Sequence, residues 1–419
     1  MTVLIKAPRG TADTLPQDSA VIADLESLLR ATAEKSGFRE IRTPVFENTE
    51  LFARGVGDTT DVVQKEMYTF EDNGGRSITL RPEGTAGCVR AFLEHGLFNE
   101  PLPQKYYYLT SCYRYEKPQA GRLREFHQFG IESIGPASPA ADVEIIALAH
   151  SVFAQLGVEG IKLEINSIGC PTCRKEYHKA LLEYFGGHKD CLCETCLGRL
   201  EKNPMRILDC KSPVCSSLKP EAPKVTDYLC SDCAEHFASV QKLLTAMGIE
   251  FTVNPEIVRG LDYYTRTVFE FVSTSIGAQG TVCGGGRYDG LVQQLGGNPV
   301  PASGFGMGIE RLCLLLSAQG KLPKRDMTPD IYLAPMDDVA LTKSMCLVKE
   351  LRAKGFHAVT DLMGRSFKAQ MKYADKTGAK YMAVLGGNET ENNKVSVKKM
   401  SDGSVREFAL DTLADNFTL

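Results

Sequence analysis

The 419-residue chain contains no tryptophan, an absence that excludes nothing, but three other absences narrow its function. No apolar run approaches the roughly 20 residues that a helix needs to cross a bilayer. The opening MTVLIKAPRGTADTLP has no basic stretch, no long apolar core and no small-residue cleavage site, so a secretory leader is not expected. Neither charge sign is in excess: 48 Lys and Arg stand against 52 Asp and Glu, a formal net charge of −4. Any nucleic-acid contact must then come from a local basic face. Internal repeats and low-complexity tracts are also missing. With 43% hydrophobic and 24% charged residues the composition is globular, which excludes wholesale disorder. These features predict a cytoplasmic protein with no membrane partner, long enough for two to three domains.

Cysteine, by contrast, is crowded. Nine of the fourteen fall between Cys170 and Cys233. In a reducing compartment such crowding favours metal ligation over disulfides.

Apolar periodicity predicts a helix over 17–36, ending at Gly37, then a strand in FREIRTPVF stopped at Pro44. Further strands are expected in MYTFED, SITLRPE, KYYYLTSCYRYE, FHQFGIESIG and IKLEINSIG, with helices at 84–95 and in VEIIALAHSVFAQLG. Beyond the cysteines, strand patterns resume in FTVNPEIVRG, TVFEFVS and TVCGGGRYDG, and SGFGMGIERLCLLLSAQG reads as a strand turning into a helix. From Pro329 strands alternate with helices, which predicts a small α/β module with a largely parallel sheet. The Pro- and Lys-rich KLPKRDMTP is the expected boundary.

The glycines of GFGMGIER and the run Gly284–Gly286 do not have dinucleotide-loop spacing, and no βαβ unit opens the chain. Gly304–Gly308 can instead let backbone approach a ligand, with Arg311 one turn into the helix and aimed at a polyphosphate. The plain alternative is a tight strand–helix turn with a surface arginine. Arg114 and Arg259 lie in apolar, aromatic strand patterns, Arg114 on the face of Cys112 and Glu116. Buried arginines are paired or bind anions, so two structural ion pairs compete with a bidentate anion pocket. Glu83, Gln128 and Glu132 occupy similar contexts, and Gln128 and Glu132, four apart, share a strand face. Solvated outer carboxylates are the ordinary alternative.

At these residues the sequence resembles the histidyl-tRNA synthetase family, a class II aminoacyl-tRNA synthetase family, over essentially its whole length. The resemblance is carried by GFREIRTPVFENTELFARGVGDTTDVVQKEMYTFED (motif 1 and the segment after it), TLRPEGTAG and YRYEKPQAGRLREFHQFGIE (motif 2). RGLDYYTRTVFEF (a histidine-specific segment), GGRYDGLV and GFGMGIER (motif 3) come next, in the family order. The resemblance implies an α+β catalytic domain, 1–325, whose antiparallel sheet is flanked by helices. A Cys-rich helical insertion, 170–248, interrupts it, and an α/β anticodon-binding domain, 329–419, completes the chain. The implied activity is ATP-dependent formation of histidyl-adenylate with release of pyrophosphate, then transfer to the 3′ end of tRNA(His), by a homodimer built on motif 1.

Residue by residue, the resemblance implies that Arg114 and Arg259 are catalytic and approach the α-phosphate from two sides. Arg311 would hold the γ-phosphate, and Glu116 and Phe126 the adenine. Glu83, Thr85 and Gln128 would receive the α-amino group of histidine, while Glu132, Tyr264 and Tyr288 would line its imidazole pocket, with Tyr263 beside it. ATP with Mg²⁺ is the implied nucleotide. The competing reading is a non-catalytic paralogue, the regulatory subunit of ATP phosphoribosyltransferase. That paralogue lacks the anticodon domain, whereas residues 329–419, Arg259 and Arg311 are all present here.

In the C-terminal module Arg365, Lys368, Lys372 and Lys376 recur at i, i+3, i+7 and i+11, one face of a helix, with Phe367, Met371 and Ala374 expected to face a core. A solvated basic face is the common fate of such a stripe, and tRNA backbone contact is what the resemblance adds. The cysteines supply four pairs: Cys170 and Cys173, Cys193 and Cys196, Cys210 and Cys215, Cys230 and Cys233, with Cys191 spare. Four thiolates per tetrahedral Zn²⁺ makes two sites arithmetically available, the grouping left open by the spacing. Here the spacing carries the expectation, because zinc is not general in the family. Free structural thiols and redox-active pairs are the alternatives.

Overall fold

The computed structural model describes residues 4–57, 60–210 and 212–419. It divides into two compact units, Met1–Pro323 and Lys324–Leu419. No helix among the described residues is long and apolar enough to cross a membrane.

In chain order the first unit carries β1 (Arg39–Glu40), β2 (Phe46–Asn48), β3 (Tyr68–Glu71), β4 (Ser77–Leu80) and β5 (Gln104–Tyr113). Next come β6 (Glu125–Ile134), β7 (Ile161–Ser167), β8 (Thr252–Val253), β9 (Thr265–Ser273), β10 (Thr281–Arg287) and β11 (Ala302–Gly308). Eight of them form one sheet in the order β1-β5-β6-β11-β10-β9-β7-β8, antiparallel except at its two parallel edges, β1 on β5 and β8 on β7. The small sheet β2-β4-β3 stands apart.

Alternation sorts the large sheet into two faces. Tyr107, Phe129, Ile131, Phe269, Phe271 and Phe305 point to one side. There they pack with Leu25 and Leu29 of the helix Pro16–Lys35, Ile145, Ile146 and Phe153 of Pro139–Gln155, and Leu312 and Leu315 of Ile309–Ala318. The Cys-rich stretch is helical as expected, Pro171–Gly186, Glu194–Lys202, Pro213–Ser216 and Ser231–Ala246. The last of these buries Phe237, Val240 and Leu244 in the same core, so it belongs physically to the helix layer of the sheet. The opposite face carries polar and aromatic side chains.

Three sequence expectations fail locally. FREIRTPVF, expected as a strand stopped at Pro44, is a strand only over the two residues of β1, and β2 begins beyond the proline in the other sheet. FTVNPEIVRG forms only the two-residue β8, and Arg259 lies in the loop after it. Arg114 lies just past the end of β5, so strand alternation does not place it. Arginine planted at a strand end can reach further into a cleft than one held in the pleat.

The second unit contains β12 (Ile331–Pro335), β13 (Ala358–Thr360), β14 (Tyr381–Leu385), β15 (Lys394–Lys399) and β16 (Val405–Ala409) in the order β13-β12-β14-β15-β16. The first three are parallel and the last two antiparallel, so the sheet is mixed, β16 having no strong apolar alternation to announce it. Arg365 lies ahead of the helix Phe367–Lys376, and Phe367 is 40% exposed. The core side of that helix starts only at Gln370, Met371 and Ala374.

Arg287 is completely buried at the end of β10. Its guanidinium donates to Asp142 Oδ1 (2.6 Å), Asp289 Oδ1 (3.0 Å) and the carbonyls of Pro136 (3.0 Å) and Ser138 (3.1 Å). Asp142 Oδ2 lies 2.7 Å from Nε2 of His236, which joins three elements through one carboxylate. Arg287→Leu strands a buried carboxylate and is expected to cost roughly 3–5 kcal/mol in urea unfolding. Arg287→Leu with Asp142→Leu should recover part of that loss; no recovery would mean the arginine acts through packing alone.

Candidate active site

A cleft of about 880 Å³ opens on the polar face of the large sheet, within the range of small-molecule sites. Its floor is made from positions that carry no side chain. Gly284, Gly306 and Gly130 lie side by side across β10, β11 and β6, flanked by Glu270 on β9 and Tyr108 on β5. A Cβ on Gly284 would stand 2.6 Å from Nη1 of Arg259, and one on Gly304 would stand 2.0 Å from Oε2 of Glu132. Glycine is needed here for close approach, which is why these clusters are not phosphate loops.

Of the residues picked from sequence, Arg114, Arg259, Arg311, Glu83, Thr85, Glu116, Phe126, Gln128, Tyr263 and Tyr264 all line this cleft. Glu132 and Tyr288 sit behind its wall, fully buried. Arg114 donates from Nε to the Pro82 carbonyl (2.9 Å) and stacks on Phe126 at 5.3 Å. Arg311 donates to the carbonyls of Gly121 (3.1 Å) and Thr281 (2.7 Å). Burial pulls the Arg311 guanidinium below its ordinary value, and the neighbouring cation Arg122 adds to the effect. Arg259 pairs with Glu270 and lies over Tyr264 at 5.3 Å. Burial opposes its charge, yet Glu270 and Tyr264 more than offset that and raise it above the ordinary value.

Glu83 precedes the helix Thr85–Glu94 and accepts from the backbone N–H of Thr85 (2.7 Å) and Ala86 (2.8 Å), which satisfies two orphan donors of that helix. Glu132 accepts from three hydroxyls: Thr85 (2.7 Å), Tyr108 (2.9 Å) and Tyr288. Tyr263 packs on Tyr264 at 4.7 Å and on Tyr288 at 5.6 Å, giving a small, aromatic, polar-tipped compartment. Three partners are missing from the sequence reading. Tyr108 and Glu270 sit on the cleft side of alternating strands, a signal available in KYYYLT and VFEF. Arg122, paired with Glu116, has only its basic loop to mark it.

The second unit exposes Lys368, Lys372 and Lys376, whereas Arg365 is paired with Asp361 (2.5 Å) and stacked on Tyr373 at 4.3 Å. The cysteine grouping left open by spacing resolves into Cys170, Cys173, Cys230 and Cys233, and Cys193, Cys196, Cys210 and Cys215. In each set the sulfurs all lie within 4.8 Å of one another, so each could hold a metal ion.

Burial pushes the Glu132 carboxyl up to about 8, and the three hydroxyl donors counter this only in part. Folding therefore takes up a proton between the ordinary glutamate range and pH 8, so this group's contribution to stability is full at low pH and is lost as pH rises. Relative to Glu132→Gln, the ligand-free protein should lose up to about 1.4 kcal/mol per pH unit between pH 5 and 8 in urea unfolding. A pH-independent difference would give Glu132 an ordinary carboxyl.

Family models match most of the chain. The model described as Histidyl-tRNA synthetase matches residues 10–171 and 215–312, and that described as Anticodon binding domain matches 330–418. The Histidine--tRNA ligase of Caldanaerobacter subterraneus subsp. tengcongensis is 53% identical, over 98% of this chain and 99% of its own. That of Acetivibrio thermocellus is 52% identical over the same shares. Among solved structures, apo S. aureus histidyl-tRNA synthetase is 39% identical, with a TM-score of 0.84 over 99% of this chain and 100% of that one. On fold, cleft and sequence together, the chain belongs to the histidyl-tRNA synthetase family, with its antiparallel class II sheet, a cysteine-bearing insertion and a C-terminal anticodon-binding domain.

Proposed function

We propose that the cleft activates L-histidine with ATP, releasing pyrophosphate, and that the histidyl group then passes to the 3′ end of tRNA(His). The observation that carries this reading is the convergence of Arg114, Arg259 and Arg311 on one cleft backed by the hydroxyl-bound Glu132. The histidine carboxylate attacks the α-phosphorus in line. A P–O bond forms, the bond to pyrophosphate breaks, and pyrophosphate leaves with the electron pair. A terminal ribose hydroxyl of the tRNA then attacks the adenylate carbonyl, and AMP leaves.

Because charge concentrates at phosphorus, positioning and cations do the catalysis and no protein nucleophile is needed. Arg114 and Arg259 hold the α-phosphate from two sides, Arg311 the γ-phosphate, and Phe126 and Glu116 the adenine. Mg²⁺ bound with the nucleotide would supply neutralisation of phosphate charge. Glu270, paired with Arg259, and Glu310, next to Arg311 in the chain, are cleft carboxylates able to offer oxygen donors to that ion. Glu83, Thr85 and Gln128 take the α-amino group. Glu132, Tyr263, Tyr264 and Tyr288 read the imidazole N–H and N, and an analogue lacking them would leave buried polar groups unpaired, a rejection of ~10⁴.

The same reading divides the chain into a catalytic domain, 1–325, interrupted by the insertion 170–248, and an anticodon-binding domain, 329–419. Lys368, Lys372 and Lys376 touch the tRNA backbone, and Arg365 orders the loop before them. Val45, Phe46 and Phe70, exposed on or beside the small sheet in and after the motif 1 stretch, support a homodimer through that face. The enzyme works in the cytoplasm, where tRNA and ATP are found.

ATP–pyrophosphate exchange with each of the twenty amino acids should proceed with histidine alone. Folded protein that shows no exchange would favour the non-catalytic regulatory paralogue. Arg259→His should lower the histidine-dependent exchange at least ~100-fold, the scale for losing one fixed donor to developing charge. Gly284→Ala should fold yet lose activity in the same direction, since its Cβ displaces the flexible guanidinium end; near-normal exchange in both would remove Arg259 from the chemistry.

A further inference from the structure

Eight of the fourteen cysteines, none of them used by the reaction, form two sets with the dimensions of tetrathiolate sites. A tetrahedron with metal–sulfur bonds of about 2.3 Å has edges of roughly 3.8 Å. The sulfurs of Cys170 and Cys173 are 3.6 Å apart, those of Cys170 and Cys230 3.9 Å, and those of Cys193 and Cys210 3.8 Å. Such separations are far beyond a disulfide bond of about 2.05 Å. Cys170, Cys193 and Cys230 each stand at the N-cap of a helix, with Cys173, Cys196 and Cys233 in its first turn. Backbone N–H groups of Cys230, Cys193 and Ser212 donate to the sulfurs of Cys173 (3.1 Å), Cys215 (3.2 Å) and Cys210 (3.4 Å). Helix N-termini and N–H donors of this kind offset the negative charge of four thiolates around a dication.

Each set also lies beside an arginine that holds a segment of the cleft. Arg174, next to Cys173, donates to the carbonyl of Tyr264 (3.2 Å). Arg206, between Cys196 and Cys210, donates to the carbonyl of Gly260 (3.0 Å) and to Asp262 Oδ1 (2.7 Å). Gly260–Tyr264 continues directly from Arg259 and contains Tyr263 and Tyr264 of the cleft.

We propose that the two cysteine sets are two structural Zn²⁺ sites that clamp the segment Gly260–Tyr264 from both ends, so that metal binding in the insertion positions the part of the cleft wall that carries Tyr263 and Tyr264. The metal assignment is independent of the reaction proposed above; only its kinetic consequence rests on that reading.

Metal analysis of full-length protein, expressed with zinc and purified without chelator, should give about two Zn²⁺ per chain. Cys170→Ser with Cys173→Ser, and Cys193→Ser with Cys196→Ser, should each leave about one. Less than ~0.5 Zn²⁺ per chain in the wild type, with the eight thiols reacting freely in the folded protein or found as disulfides, overturns the proposal. Iron in place of zinc overturns it too. Should the variants fail to fold, mercurial titration of the wild type reads the same stoichiometry from released zinc.

The clamp has its own readout in hydrogen exchange of 257–264. Zinc removal should accelerate exchange there at least ~10-fold, and Arg206→Met should do so while retaining both metals. Exchange unchanged by zinc removal would sink the clamp. If zinc is bound but no histidine-dependent exchange is found, the proposed reaction fails and the metal sites stand.

Discussion

An antiparallel sheet can host a polyanion only if its floor yields room, and here that room comes from three glycines abreast. Gly284, Gly306 and Gly130 occupy neighbouring positions on three consecutive strands. Side chains of ordinary size there would fill the space now taken by Arg259, by the Gln128 amide and by the Tyr108 ring. The cost of glycine in a strand, roughly 0.5–1 kcal/mol each, is offset by the long ladders on either side and by the apolar helix layer beneath. The groups above that floor depend on it. Arg259 can lie flat against it, Glu270 can reach up beside it, and Tyr108 can fold over Gly130 to meet Glu132.

Buried charge serves two purposes in this molecule, and local geometry separates them. Arg287 has both Nη atoms engaged by two carboxylates and two carbonyls, and no atom of it is exposed to a ligand. It is a structural joint between β10 and two helices. Arg259 has one partner carboxylate, and its side chain lines the cleft. Both are arginines in apolar surroundings, and sequence context alone does not tell the joint from the binding group.

That limit marks how far the sequence is legible. The strands β5, β6, β9, β10 and β11 are visible in it because period-2 alternation persists where one face meets a helix layer. The loops bearing Arg114 and Arg259 read as strand because aromatic and β-branched residues run past the end of the ladder. In the second unit Phe367 reads as part of a core that the helix reaches only one turn later. The site residues are legible through resemblance, which is order and identity along the chain. Their distances, the Tyr108 hydroxyl and the Arg122–Glu116 pair depend on which strands become neighbours, and no local pattern carries that. The cysteines lie between these extremes: spacing implies two sets, while the grouping across some sixty residues needs the fold.

Crowded cations set the field of the cleft. Arg311 is held below its ordinary value by burial and by Arg122 beside it, with Arg114 acting in the same direction. Arginine stays charged even so, because its ordinary value lies far above neutral pH. The cleft therefore holds repulsion between fixed positive groups, relieved only in part by Glu116 and Glu270. A polyphosphate removes that repulsion as it binds, and a phosphorus gaining negative charge in an in-line displacement removes more of it. Glu132, behind the wall, is held by the hydroxyls of Thr85, Tyr108 and Tyr288 rather than by a cation, and burial raises its carboxyl. Charge stabilisation and side-chain recognition are thus assigned to different chemistry in one cleft, fixed arginine charge for the first and a buried, hydroxyl-bound carboxyl for the second.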